Sequence, residues 1–69
     1  MPEQKSFREW RIESGLTVKY VVHVLEDEYG ISISEWQLND REKKPYKFAP
    51  KEIQALCKIY KKTIDEIRF

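Results

Sequence analysis

The sequence predicts an all-α fold, five helices in one domain over residues 1–69 with a helix-turn-helix at its centre. Three observations predict it. Apolar residues recur at helical spacing, most cleanly as Ile53, Leu56, Cys57 and Tyr60, the period of a half-buried helix. Capping boxes stand at Ser6 with Glu9, Ser32 with Glu35 and Thr63 with Glu66, each able to satisfy orphan backbone donors at a helix start. Between two of the helical patterns, Tyr29-Gly30-Ile31-Ser32 supplies a glycine that can turn the chain and a serine that can cap the next helix.

The first helix opens at Ser6-Phe7-Arg8-Glu9, buries Phe7 and Trp10, and stops at Ser14-Gly15. Thr17 caps the second, whose apolar stripe is Val18, Val21, Val22, Leu25 and Tyr29. The β-branched content of that stripe suits a strand, but its spacing is that of a helix. The third helix is expected from about Ile33 to Asp40, capped by Ser32, with Trp36 as a core anchor like Trp10. Arg41 to Phe48 then reads as a charged loop. Pro50 suits the first turn of a fourth helix, and Thr63-Ile64-Asp65-Glu66 starts a short fifth one that ends at Phe69.

Length and composition narrow the function. Sixty-nine residues hold one small core and leave no chain for a catalytic or regulatory module. Hydrophobic residues make up 41% of the chain and only two glycines and three prolines interrupt it, which suits a packed helical domain. The single cysteine, Cys57, excludes an internal disulfide and a cysteine-based zinc site, and its place on the fourth helix's apolar face reads as an inert core thiol. His23 stands alone off the apolar stripe, as a surface histidine would. With no membrane-length apolar run and no signal peptide, a soluble cytoplasmic protein is expected. No nucleophile–base arrangement or glycine-rich phosphate loop is present, so neither an enzyme nor a small-molecule substrate, metal or cofactor is expected.

The net charge of +1 hides a segregated distribution. From Arg41 to Lys51 the chain carries Arg41, Lys43, Lys44, Lys47 and Lys51 against Glu42 alone, an excess of four positive charges. Before it, Glu26, Asp27 and Glu28 end the second helix and Glu35 follows in the third, with no Lys or Arg between Tyr20 and Asp40.

Taken in order, Phe7-Arg8-Glu9-Trp10-Arg11, Gly15-Leu16-Thr17, Gly30-Ile31-Ser32, a basic loop, Glu52-Ile53 through Tyr60 and Ile64-Asp65-Glu66-Ile67 resemble the Cro/repressor-like helix-turn-helix family of phages and mobile elements. The resemblance covers about residues 6 to 69. It implies a five-helix, lambda-repressor-like domain, dimeric on a two-fold DNA operator, that regulates transcription through its third helix. The stretch from Leu16 to Gly30 is longer than the family pattern by about one helical turn, an insertion that keeps the apolar face in phase. A rival register matches Ile33-Ser34-Glu35-Trp36 to the family's reading helix, but it places Glu26-Asp27-Glu28 in the turn, where none takes a positive φ cheaply. The register with Gly30 in the turn is preferred, and it sets Asp40 where the family pairs a carboxylate with the first helix's arginine, here Arg11.

In that register the base-facing residues implied are Ile33, Ser34, Gln37, Leu38 and Arg41, with Asn39 within reach. Lys19, Lys43, Lys44, Lys47 and Lys51 would contact phosphates. The acids argue for an alternative. Glu26, Asp27, Glu28 and Glu35 would repel DNA, and they suit a modulator or antirepressor that docks on the basic DNA-binding surface of a repressor protein.

Overall fold

The computed structural model describes residues 3–69, an order of α1 (Phe7–Glu13), α2 (Val18–Tyr29), α3 (Glu35–Lys43), a 3-10 turn (Pro45–Lys47), α4 (Pro50–Tyr60) and a second 3-10 turn (Ile64–Glu66). Among the described residues the α-helices are four, not five. The stretch expected as a fifth helix keeps its cap, with the Thr63 N–H donating to Glu66 Oε1 at 3.2 Å, but completes only one 3-10 turn. Ile67 then leaves the turn to be buried against the core, and an extended residue cannot continue a helix. The Cα radius of gyration is 10.9 Å, against about 11 Å for a packed chain of this length.

The first two helices start as their residues dictate. Ser6 Oγ accepts from the Glu9 N–H at 3.2 Å, and Thr17 Oγ1 accepts from the Tyr20 N–H at 3.1 Å. Gly30 ends α2 at φ +66°, and the Ile31 N–H returns to the Leu25 carbonyl at 2.9 Å, the bond of a left-handed helix end. Among the described residues, Lys61 is the non-glycine residue with positive φ (+57°), and it closes α4 in the left-handed conformation, the Lys62 N–H donating to the Cys57 carbonyl at 2.9 Å. A side chain in this conformation costs about 1 kcal/mol relative to glycine. Lys61→Gly is therefore expected to stabilise the fold by roughly 0.5–1 kcal/mol, read as a higher urea midpoint at constant m-value.

Phe7, Val21, Leu25, Leu38 and Leu56 are fully enclosed, with Trp10, Ile31, Phe48, Ala55, Cys57, Tyr60 and Ile67 around them. Phe7 is the aromatic hub, edge-on to Phe48 at 5.2 Å and to Phe69 at 5.9 Å between ring centroids. On α2, Val21, Val24 and Leu25 are buried, whereas Val18 and Val22 are half-buried and Tyr29 reaches solvent. The chain ends are tied together. The Lys5 N–H donates to Glu66 O at 3.1 Å, the Arg68 N–H to Lys5 O at 2.9 Å, and Trp10 Nε1 to Glu66 O at 2.8 Å, with Lys62 Nζ 4.2 Å from the Trp10 ring centroid. Burial raises the Cys57 thiol above its ordinary pKa, with Glu66 adding to the effect, so the thiolate needed for nucleophilic chemistry is disfavoured. No helix among the described residues is long and apolar enough to cross a membrane.

A candidate nucleic-acid interface on the third helix

Residues 31–34 are not helical and alternate in burial, Ile31 buried, Ser32 exposed, Ile33 half-buried and Ser34 exposed, with Ser34 itself extended at φ −85° and ψ 164°. Residues two apart point to opposite sides of a helix, so turning both Ile31 and Ile33 toward the core keeps this segment out of the helix, which begins two residues later than its first capping signal. Ser34, not Ser32, is the cap. Its Oγ accepts from the Gln37 N–H at 3.1 Å, and Gln37 Oε1 accepts from the Ser34 N–H at 2.9 Å, a second capping box that displaces the one expected at Ser32 and Glu35. The helix then runs on to Lys43, so Arg41, Glu42 and Lys43 are helical and the charged loop shrinks to Lys44 and the 3-10 turn.

The inward face of α3 is Leu38 and, one turn later, Glu42. Leu38 is fully enclosed by the core and reads no base. The Glu42 side chain is 0% exposed and meets Arg11 of α1 twice, Nε to Oε2 at 2.8 Å and Nη2 to Oε1 at 3.3 Å, while Arg11 Nη1 donates to Leu16 O at 3.0 Å. The carboxylate expected at Asp40 is thus Glu42. Asp40 lies about 160° round the helix from Leu38 at 100° per residue and reaches Lys47 instead, at 3.5 Å. Arg41 points across to α4, where it pairs with Glu52, whose other oxygen accepts from the Ala49 N–H at 2.7 Å to cap that helix. Held there, Arg41 is a strut between helices and not a base reader.

The outward face is Trp36, Asn39, Asp40 and Lys43, spaced i, i+3, i+4 and i+7, with Glu35 and Gln37 on its edges. Trp36 is no core anchor, being 73% exposed. It precedes Leu38 by two residues, and two residues on a helix turn a side chain to the other side. Of the expected base-facing residues, Ser34 and Gln37 sit at the helix entry with their capping atoms engaged, Ile33 is packed partly against the core, and Leu38 and Arg41 are withdrawn. Asn39 is exposed and makes no side-chain hydrogen bond among the described residues.

The five basic residues from Arg41 to Lys51 divide likewise. Arg41 and Lys47 are spoken for by Glu52 and Asp40, whereas Lys43 at the end of α3, Lys44 after it and Lys51 in the first turn of α4 are exposed and in no ion pair among the described residues. Lys19 stands exposed in the first turn of α2. Glu26, Asp27, Glu28 and Glu35 are likewise exposed and in no ion pair among the described residues. No family model, curated protein or solved structure matches the chain.

Proposed function

We propose that the chain is a small DNA-binding transcriptional regulator of the Cro/repressor-like helix-turn-helix type, with α2 and α3 as the motif and α3 as the element that enters the major groove. The observation that carries this reading is the outward stripe Trp36, Asn39, Asp40, Lys43, which continues into unpaired Lys44 and Lys51. An exposed helix face leading into lysines at its end is what groove entry and phosphate contact require. The Arg11–Glu42 pair and the Arg41–Glu52 pair support it from behind, because they fix α3 to α1 and α4 and so hold the exposed face in one orientation. The resemblance in sequence order adds the expectation of a dimer on a two-fold operator and of a phage or mobile-element origin.

One observation favours a second reading, in which the same face docks on a basic repressor protein. A tryptophan at 73% exposure beside unpaired acids is the composition of a protein-binding anchor. Glu28→Lys combined with Glu35→Lys separates the two. Under the DNA reading the double variant binds a mixed duplex about tenfold or more tighter at about 50 mM salt, since it adds two cations near the phosphates. Unchanged or weaker duplex binding by a folded variant would contradict it, and loss of binding to a basic repressor domain would favour the protein-directed reading.

A further inference from the structure

The outward stripe of α3 spans about 10 Å along the helix, from Trp36 to Lys43, the rise of about three base pairs. Its chemistry is lopsided. Guanine offers the major groove only acceptors, N7 and O6, so it is bonded only by a donor. Glu35 and Asp40 are carboxylates and only accept, and Arg41, the donor suited to guanine, is held against Glu52. The remaining cation of the stripe, Lys43, lies at its far end beside Lys44 and Lys51, where the phosphates are expected. What stays near the entering end of α3 is the exposed amide of Asn39, which matches adenine N6 and N7 together, and the large apolar surface of Trp36; each can donate to guanine singly, and neither supplies the paired donors that span N7 and O6.

We infer that this face selects an A·T step and discriminates against guanine, with Asn39 bonding adenine N6 and N7 and Trp36 packing on the thymine methyl group. The inference rests on the proposed DNA-binding function. Trp36 is its specificity-determining residue, because the apolar face of an exposed indole gains contact from the 5-methyl group that thymine alone presents in the major groove. Glu35, in no ion pair among the described residues, weakens binding overall and accepts only from an amino group, which A·T and G·C pairs both present, so the choice between them rests on Asn39 and Trp36.

The test uses the whole chain. A randomised duplex is selected for binding at low salt, and each thymine of the recovered site is then replaced by uracil, which removes only the methyl. One replacement is expected to weaken binding about fourfold, and in the variant Trp36→Ala that difference disappears. Asn39→Ala is expected to relax selection at one adenine by about five- to hundredfold. Because both side chains are exposed, unchanged helical circular dichroism confirms that the variants fold. A salt-sensitive duplex site that is indifferent to uracil at every thymine, or that is built on guanine contacts, overturns this inference and leaves DNA binding standing. The absence of duplex binding at any salt overturns both.

Discussion

Glu42→Ala is expected to destabilise the protein by about 3–5 kcal/mol, because it strands the Arg11 guanidinium in a site that is nearly closed to water. Native domains have a total stability of roughly 5–15 kcal/mol, so the variant loses about a fifth of it or more. The cost lies in the unpaired charge and not in the missing attraction alone. Replacing both partners, Arg11→Met with Glu42→Leu, is therefore expected to recover most of the stability. Asp40→Ala, which breaks only the half-exposed pairing with Lys47, is expected to cost about 1 kcal/mol or less. Urea midpoints of the three variants check the order, and an Asp40→Ala variant less stable than Glu42→Ala would show that the ion pair has been assigned to the wrong carboxylate.

The second large effect concerns binding. Neutralising Lys43, Lys44 and Lys51 to glutamine removes three cations between the end of α3 and the first turn of α4 that no acid holds among the described residues. Removing one lysine–phosphate pairing makes the slope of log affinity against log salt shallower by about 0.9, and removing three makes it shallower by about 2.7. Between about 50 and 200 mM salt the parent protein would then lose about 40-fold more affinity than the variant does. Lys47→Gln serves as the comparison. Lys47 is already engaged with Asp40, so its removal is expected to change the slope by less than any of the other three. Titrations of one duplex at several salt concentrations check both statements.

The parts of the fold that can be read from the sequence are those with redundant local signals. At α1 and α2 a cap, an apolar period and a glycine stop agree, at α4 Pro50 and an apolar period do, and the structure starts α1 at Phe7, α2 at Val18 and α4 at Pro50. The centre is harder because two capping boxes overlap there, Ser32 with Glu35 and Ser34 with Gln37, and local chemistry does not choose between them. The choice is tertiary, made by burying Ile31 and partly burying Ile33 on non-helical backbone. That same shift explains why the site differs from its expectation. With Leu38 as the one apolar residue that α3 buries, Glu42 falls one turn below it and Trp36 on the opposite side. A tryptophan is read as core because large apolar side chains are usually buried, and nothing local to Trp36 says otherwise. Its neighbours do carry a signal: the pair Leu38 and Glu42 at i, i+4, facing an arginine on α1, marks the inward side and so leaves Trp36 and Asn39 outside. The lysines can be read as a group, but which of them are free cannot, since that depends on the pairing of Glu52 and Asp40.

Binding of duplex DNA by α3 and its lysine flank is tested most directly by titrating the folded protein against a mixed duplex library at about 50 mM and then about 200 mM salt, and sequencing the retained duplexes. The predicted result is a complex that weakens by at least tenfold between the two conditions and enriches a site with A·T pairs at its core. A folded protein that retains no duplex at either salt concentration would contradict it.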